Sequence, residues 1–264
     1  MSTTNRKIVR WQSGVRRPAT DHLAAEEPLE IRIDTQPLLV TMRTPGHDAE
    51  LAAGLLFTEG LITSQDDVRE IKMNRRNTSG NSIDIFLAGH ANVDLKRAKR
   101  RMFVSSSCGV CGKDSIRSVR QKFKAVRSRA GIDAKLLLEL PERLRRAQPT
   151  FERTGGLHAA GIFTLAGELV VAREDIGRHN AVDKAIGFGL LNGLLPFDTH
   201  VLVVSGRASF EIMQKSIAAR IPIICAVSAP SSLAVEFAQE NGQTLAGFVR
   251  DGRMNIYAGA RRIL

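Results

Sequence analysis

The chain has 264 residues, of which 43% are hydrophobic and 25% are charged, a composition typical of a globular protein with one large domain or two smaller ones. No apolar stretch approaches the roughly 18–20 residues that a membrane-spanning helix needs, and the basic N-terminus has no apolar core of the kind found in secretory signals. We therefore expect a cytoplasmic protein. Its three cysteines, Cys108, Cys111 and Cys225, are too few for a disulfide framework and are expected to be reduced thiols.

The formal net charge of +11 comes from 38 basic and 27 acidic residues. Such an excess suggests nucleic acid as a partner, but the chain has one Trp and one Tyr, and it lacks an aromatic-rich RNA-binding signature and zinc-finger spacing. The same charge is also expected from solvated basic surfaces, or from attraction to a phosphate-bearing small molecule or an acidic protein. We expect no nucleic-acid partner and no membrane partner.

The N-terminal part of the chain predicts a small α+β domain over residues 26–104, preceded by a flexible basic arm over 1–25 that has no periodicity able to bury a face. Apolar residues at helical spacing predict a helix over 47–61. Strand patterns fall at 29–33, 38–42, 83–87 and 102–104.

The segment 105–113 predicts a mobile loop at a domain boundary, because it contains three serines, two cysteines and two glycines and little that could pack. Strands and helices alternate over much of the region 114–264, which predicts a partly parallel sheet covered by helices. The predicted helices are 115–129, 134–146, 180–191, 210–220 and 232–240. The predicted strands are 158–165, 169–172, 201–204, 221–227 and 245–249.

Ligands bind such sheets outside the carboxyl ends of the strands, where helix N-termini present free backbone N–H groups. Hydroxyl groups, glycines and arginines are concentrated at three of these ends. Arginine can bind phosphate or stack on a base, and Asp can accept a hydrogen bond from guanine. The pattern predicts a nucleotide-diphosphate site made by Ser205, Gly206, Arg207 and Ser228 together with Phe248, Val249, Arg250, Asp251, Gly252 and Arg253.

The motif Cys108-Gly109-Val110-Cys111 is compatible with several chemistries. Structural zinc needs four ligands, but Cys225 lies in an apolar strand and no histidine pair follows at finger spacing. A redox pair, two incidental thiols and a persulfide carrier remain open, and the nearby Lys113 would favour the reactive thiolate of a carrier. Nucleoside deamination is excluded, because none of the six histidines is followed two residues later by the required Glu.

The stretch Arg173–Lys184 places eight polar or charged residues among twelve at a strand-to-helix junction. It could form an ion-pair network that locks the turn, with His179 and Asp183 one helical turn apart. It could also form the wall of a pocket for an anionic ligand. A third possibility is a metal site formed by His158, His179 and Asp175. We expect no metal.

These motifs, taken together and in this order, closely resemble the FdhD family, the accessory sulfurtransferases of formate dehydrogenase. The resemblance runs from about residue 29 to 259. Its motifs are Ser106–Lys113, Thr154–Ala160, Arg173–Lys184, Ser205–Arg207 and Gly247–Asn255. It implies a cytidine-deaminase-like three-layer α/β main domain without deaminase chemistry, a small N-terminal α+β roll, and a homodimer.

The resemblance also implies the activity and the roles of individual residues. A cysteine desulfurase would give sulfur to Cys108 as a persulfide, with Cys111 as an assisting thiol. The sulfur would pass to the molybdenum bis-guanine-dinucleotide cofactor, bound as substrate at Phe248–Arg253, for the client formate dehydrogenase. GDP-like nucleotides are expected to mimic this substrate. The competing hypothesis is a non-catalytic chaperone that holds the cofactor.

Overall fold

The computed structural model describes residues 2–74, 81–91, 93–102 and 123–264. The strands are β1 (Thr3–Gln12), β2 (Val15–Ala24), β3 (Glu27–Ile33), β4 (Gln36–Arg43), β5 (Val68–Met73), β6 (Ser82–Leu87), β7 (His158–Thr164), β8 (Leu169–Asp175), β9 (His200–Val204), β10 (Ile223–Ala226), β11 (Thr244–Arg250) and β12 (Arg253–Ala258). The α-helices are α1 (Asp48–Thr58), α2 (Leu95–Met102), α3 (Ala134–Arg146), α4 (Pro149–Thr154), α5 (Arg178–Leu191), α6 (Phe210–Ala218) and α7 (Ser232–Glu240). Short 3-10 turns lie at Gln65–Asp67 and Ala260–Arg262.

The main sheet has six strands in the order β12-β11-β10-β9-β7-β8, with β9, β10 and β11 parallel. Strand side chains alternate between the two faces. Leu202 and Val204 accordingly join the core formed with α5, α6 and α7. Val201 and Val203 join the core under α3 on the opposite face. Because both faces are covered, the central strands are wholly apolar, and the expected three-layer α/β fold is confirmed.

A second, four-stranded sheet has the order β4-β3-β6-β5 and forms the small N-terminal α+β unit. Leu29, Ile31 and Ile33 alternate along β3 and are buried in one core with Leu51 and Leu56 of α1. Leu190 of α5 belongs to the same core, so the small unit packs directly on the main domain.

Two glycines allow α1 and α5 to approach each other at backbone distance. A Cβ atom on Gly54 would lie 1.9 Å from the carbonyl oxygen of Asp183, and one on Gly187 would lie 1.9 Å from that of Glu50. Any side chain at either position would therefore force the helices apart.

This close contact is accompanied by a buried ion pair. The Lys215 ammonium lies 2.8 Å from one carboxylate oxygen of Asp183 and 2.9 Å from the other, and Thr58 donates to Asp183 at 2.7 Å. Burial raises the pKa of the Asp183 carboxyl. Burial opposes a charge on Lys215, but Asp183 and Glu59 outweigh it and raise the pKa of the ammonium. The three elements α1, α5 and α6 thus share one charged contact.

The structure differs from the sequence prediction at the N-terminus. Residues 3–24 form an antiparallel hairpin of β1 and β2, joined by a two-residue turn in which Ser13 and Gly14 have positive φ. The prediction of an arm without structure was wrong for these residues. The prediction assumed that a structured segment must bury one face. The ribbon instead satisfies its own backbone hydrogen bonds and stays largely exposed.

Two further elements differ. Met102 ends helix α2 instead of beginning a strand, and this helix buries Ala98. The described part of the predicted helix 115–129 has no regular secondary structure. Its backbone hydrogen bonds to another segment instead, with Val126 N–H donating to the Asn241 carbonyl at 2.9 Å.

We expect the substitution Gly187→Ala to lower the free energy of unfolding by about 1–3 kcal/mol, because the added methyl group overpacks a backbone contact. Helix propensity alone predicts the opposite sign, a gain of about 1 kcal/mol. Urea denaturation followed by circular dichroism measures the difference. The control is Gly89→Ala, where an added Cβ meets nothing within 4 Å. Equal midpoints for the two variants would contradict the steric argument.

The buried ion pair gives a second prediction. Lys215→Met should lower the free energy of unfolding by about 3–5 kcal/mol, because it leaves the Asp183 carboxylate buried without its cation. Adding Asp183→Asn should recover part of this loss. The same denaturation series measures both changes, with the exposed cation Arg146 replaced by Met as the control. A double variant less stable than Lys215→Met would show that the two residues act independently.

Candidate functional site

The carboxyl ends of several strands meet at one edge of the main sheet. Strands β9, β10 and β11 are parallel, and β8 points the same way because β7 pairs antiparallel with both β8 and β9. Helices α5, α6 and α7 begin shortly after β8, β9 and β10 end. The edge therefore collects helix N-termini and the loops that precede them, as the sequence predicted.

A cavity of about 640 Å³ opens at this edge, on the face covered by α3. Its volume lies within the 300–1,000 Å³ typical of small-molecule sites. We call it the edge cavity. Its lining residues are Leu138, Pro141, Glu142, Leu144, Arg145, Gln148, Phe151, Gly155, Gly156, Leu157, His158, Ser205, Val227, Val249, Arg250 and Asp251. The ends of four strands and two helices thus contribute to a single concave site.

Four of the ten predicted nucleotide-site residues line the edge cavity: Ser205, Val249, Arg250 and Asp251. The Ser205 hydroxyl accepts a hydrogen bond from Ala159 N–H at 2.8 Å, which ties the end of β9 to the start of β7. Val249 is fully buried, whereas Arg250 and Asp251 are exposed. The wall therefore changes from apolar to charged toward its mouth.

The remaining residues of Phe248–Arg253 lie around that wall. Phe248 has a φ of 53° and its N–H donates to the Ser228 carbonyl at 3.2 Å. Its backbone interrupts the pairing of β11 with β12, so that Val249 and Phe248 both leave the regular ladder. The Arg250 guanidinium lies 6.0 Å from the Phe248 ring.

Asp251 and Gly252 form the turn between β11 and β12. Both have positive φ, at 54° and 70°, which is the backbone of the two-residue hairpin turn that Asp-Gly favours. Arg253 is the first residue of β12 and is exposed. The sequence prediction missed β12 because the same Asp-Gly pair was interpreted only as a ligand loop.

Three predicted residues, Gly206, Arg207 and Ser228, do not line the edge cavity but lie in the loops that follow β9 and β10. A Cβ atom on Gly206 would lie 3.2 Å from Nδ1 of His158, so the glycine gives the imidazole its space. Arg207 is exposed, and its positive charge acts on His158.

His158 is a lining residue that the sequence analysis considered only as a metal ligand. Burial lowers the pKa of its imidazole, and the charges of Arg178 and Arg207 lower it further. The ring is therefore neutral at physiological pH, and a neutral imidazole can accept or donate a hydrogen bond. The cations around it favour an anionic group at this edge.

The stretch Arg173–Lys184 forms an ion-pair network, but with partners the sequence did not reveal. Lys184 pairs with buried Asp175 at 2.7 Å, and its ammonium donates to the Thr44 carbonyl at 2.8 Å. Arg173 pairs with Glu50 of α1. His179 and Asp183 do not pair with each other; Asp183 binds Lys215 instead. The network joins the two units of the protein.

One member of this stretch supports the cavity wall. The Glu174 carboxylate accepts hydrogen bonds from the backbone N–H groups of Thr150 and Phe151, at 3.0 and 2.6 Å. These donors belong to the first turn of α4, where N–H groups have no partner inside the helix. Glu174 thereby positions Phe151, over whose ring the Arg145 guanidinium lies at 4.5 Å.

His179 belongs to a different contact at the same edge. Its Nδ1 lies 3.1 Å from a Glu211 carboxylate oxygen and its Nε2 lies 3.1 Å from the Ser209 hydroxyl. Burial, Arg178, Lys215 and His158 lower the pKa of His179 to about 3, so the ring is neutral. A carboxylate can only accept a hydrogen bond, so Nδ1 carries the proton and Nε2 accepts from Ser209.

Ser209 and Glu211 were not among the predicted site residues, although they lie two and four residues after the predicted Ser205–Arg207 segment. Ser209 is at the N-cap of α6, yet its side chain makes no capping hydrogen bond there. The three residues of the possible metal site, His158, His179 and Asp175, do not form a cluster. Asp175 pairs with Lys184, and His179 contacts Ser209 and Glu211. Among the described residues, no group of three or more His, Cys, Asp or Glu side chains could hold a metal ion.

The cysteines divide into two groups. Cys225 lies in β10 and is fully buried, as expected, and burial raises the pKa of its thiol. A thiol with a raised pKa is a poor nucleophile at neutral pH. Cys108 and Cys111, the predicted carrier and its assisting thiol, lie outside the described residues.

None of the helices in the described part of the chain has the length and apolarity needed to cross a membrane.

Comparison with known proteins gives consistent results over almost the whole chain. Relatives named sulfur carrier protein FdhD include one from Streptomyces coelicolor, 48% identical over 99% of this chain and 95% of the relative. Another, from Sulfolobus acidocaldarius, is 43% identical over 97% of both chains. A crystal structure described as a formate dehydrogenase accessory protein, from Desulfotalea psychrophila, has the same fold, with a TM-score of 0.78 and 24% identity over both full chains. Because residues 24–264 also match the FdhD/NarQ family as a whole, the chain belongs to that family.

Proposed function

We propose that this chain is a sulfur carrier protein that acts as a sulfurtransferase for formate dehydrogenase in the cytoplasm. The observation that carries the proposal is the burial of Cys225. The chain has three cysteines, and a thiol with no exposed surface cannot meet a partner protein. Cys108 and Cys111 are the remaining candidates for the sulfur chemistry that the names of the relatives describe.

The proposed reaction begins at a cysteine desulfurase that carries a persulfide. The Cys108 thiolate attacks the outer sulfur of that persulfide, forms a new S–S bond and releases the donor's cysteine as a thiolate. Cys108 then carries the sulfur as its own persulfide. The outer sulfur passes to the metal of the molybdenum bis-guanine-dinucleotide cofactor, which is the substrate. Attack by Cys111 on the Cys108 persulfide would release the outer sulfur as sulfide and leave a Cys108–Cys111 disulfide. The two cysteine sulfurs thereby supply the two electrons that reduce the outer sulfur to sulfide.

The edge cavity supports binding of one nucleotide arm of this substrate. Phe151 and Leu138 offer apolar surface for a base, while Arg145 and Arg250 offer guanidinium groups that bind phosphate or stack on the base. Asp251 supplies a carboxylate that can accept from a guanine edge. The net charge of +11 favours a substrate with two diphosphates. The client in this proposal is formate dehydrogenase, and the carrier acts as a homodimer.

The second candidate function is a chaperone that binds the same cofactor without transferring sulfur. The edge cavity is equally suited to it, because nucleotide binding needs no thiol. The two functions differ in the fate of sulfur. The Cys108→Ala variant distinguishes them. A chaperone with this substitution still activates the client enzyme, whereas a carrier with it still binds the cofactor but no longer activates the client.

We expect incubation with a cysteine desulfurase and cysteine to add roughly 32 Da, one sulfur atom, to the wild-type chain. Intact mass spectrometry measures the gain. Cys108→Ala should abolish it, whereas Cys225→Ala should retain it because that thiol is buried. Cys111→Ala tests the assisting role by the rate of sulfur delivery. No gain in the wild type would contradict a carrier and leave the chaperone.

The edge cavity gives a separate prediction that does not involve sulfur. Arg250→Ala and Arg145→Ala should each weaken GDP binding about 10- to 100-fold, the effect of losing one hydrogen bond to a charged group. Isothermal titration calorimetry measures the dissociation constants. The control is Arg153→Ala, an exposed cation of α4 that does not line the cavity. If all three variants bound GDP alike, the nucleotide would bind elsewhere.

A further inference from the structure

The N-terminal hairpin, β1 with β2, stands apart from both cores of the protein. Within the described residues its two strands form a sheet of their own, and all of residues 9–18 are exposed. Strands of ten residues make a ribbon roughly 30 Å long. The match to the FdhD/NarQ family as a whole begins at residue 24, the last residue of β2, whereas the Streptomyces coelicolor relative aligns over 99% of the chain.

The ribbon carries an unusual combination of side chains. Five cations and one carboxylate lie along it: Arg6, Lys7, Arg10, Arg16, Arg17 and Asp21. Large apolar side chains are exposed among them, with Trp11 at 63% and Val9 at 67%. The Arg16 guanidinium lies 5.5 Å from the Trp11 ring. Alternation places Val9 and Trp11 on one face and Arg10 on the other.

A ribbon of this kind is poorly stabilised by itself. Two-stranded hairpins without a core are marginal in water. Arg10 and Arg17 lie directly opposite each other in the register, and like charges at such positions destabilise a strand pair. An acidic surface placed against the Arg10–Arg17 pair would convert this repulsion into attraction. The charge pattern therefore fits an acidic partner.

The hairpin is rooted at the mouth of the edge cavity. A Cβ atom on Gly156, a lining residue of the cavity, would lie 3.6 Å from Cβ of Ala24, the last residue of β2. A protein bound along the ribbon would consequently be held next to the cavity. The proposed function involves two partner proteins, the cysteine desulfurase and the client formate dehydrogenase. The client must approach the cavity, because it takes the cofactor from it.

We propose that the N-terminal hairpin is the docking arm for the client formate dehydrogenase and that it binds an acidic surface of that enzyme. This inference rests on the proposed function, because it needs a client that receives the cofactor. Exposed Trp and Arg side chains are the residues that most often dominate protein interfaces. Because Arg10 and Arg17 lie on one face of the ribbon and Val9 and Trp11 on the other, the client must receive the ribbon in a groove, with carboxylates against the first face and apolar surface against the second.

A second copy of this chain and a nucleic acid both fit the ribbon less well. A second copy carries the same net charge of +11, so the proposed homodimer would form on a less cationic face than this ribbon. Single-stranded nucleic acid is bound through several aromatic side chains on which bases stack. The ribbon has one large aromatic side chain, Trp11, instead of several.

The test measures binding of the full chain to purified cofactor-free formate dehydrogenase from the same organism by biolayer interferometry. Arg10→Glu/Arg17→Glu should weaken binding at least about tenfold, and Trp11→Ala should weaken it as well. Binding by the wild type should also weaken as salt rises from 50 to 300 mM, roughly 14 to 6 Å in screening length. The charge-matched control is Lys135→Glu/Arg261→Glu, two exposed cations elsewhere, and it should bind like the wild type.

Several outcomes would overturn the inference. These are unchanged binding by the hairpin variants, an equal loss in the control, and no binding of the client by the wild type. A loss seen instead with the cysteine desulfurase, with DNA or RNA, or in the oligomeric state measured by light scattering would assign the hairpin to that occupant. GDP binding and the persulfide mass gain, measured on the same variants, separate this result from the proposed function. They should be unchanged, and their failure in the wild type would count against the function instead.

Discussion

The backbone contact between α1 and α5 is the constraint on which the rest of the structure depends. Because neither Gly54 nor Gly187 has a side chain, the two helices touch, and Thr58 at the end of α1 reaches Asp183 in the middle of α5. Asp183 in turn fixes Lys215 of α6. A larger residue at either glycine would separate Thr58 from Asp183 and leave the buried charges with fewer partners.

Helix α5 transmits that constraint to the edge of the main sheet. Its first turn carries His179, which binds Ser209 and Glu211 at the start of α6. Lys184, further along the same helix, binds the Thr44 carbonyl and the Asp175 carboxylate. Neighbouring Glu174 fixes the first turn of α4 and with it one wall of the edge cavity. The polar residues of Arg173–Lys184 are therefore concentrated here because they orient four elements around one site, which is the arrangement that a preorganised binding site needs.

The sequence predicted those elements whose side-chain pattern reports burial. Val201–Val204 is apolar throughout because both faces of the sheet are covered. The helix Ser232–Glu240 was predicted with its observed bounds, and Ser231 caps it by accepting a hydrogen bond from Ala234 N–H. The pattern could not reveal contacts between residues distant along the chain. The approach of Gly54 to Gly187 and the pairing of Asp183 with Lys215 depend on how two units pack. The N-terminal hairpin escaped prediction for the opposite reason, because it buries almost nothing.

The sequence could place part of the predicted nucleotide site at one edge of the sheet for a similar reason. Parallel strand ends share an edge by geometry, so Ser205 and Arg250 could be placed together from the sequence. The contribution of α3 and α4, including Arg145 and Phe151, could not be, because only the fold brings these helices over that edge. Gly206 and Arg207 do not line the cavity and affect it through His158. Gly206 leaves space for the imidazole, and the charge of Arg207 lowers its pKa.

In the proposed function, cofactor binding and partner recognition lie in different parts of the chain. The edge cavity lies within the region that matches the FdhD/NarQ family, whereas the cations of the N-terminal hairpin lie before residue 24. Charges on an exposed ribbon change the rate of encounter and the choice of partner, and they contribute little to the stability of a distant core. In the proposal, the hairpin selects the partner by charge and the edge cavity binds the cofactor. The proximity of Ala24 to Gly156 connects the two parts, because a partner bound along the ribbon would lie next to the cavity.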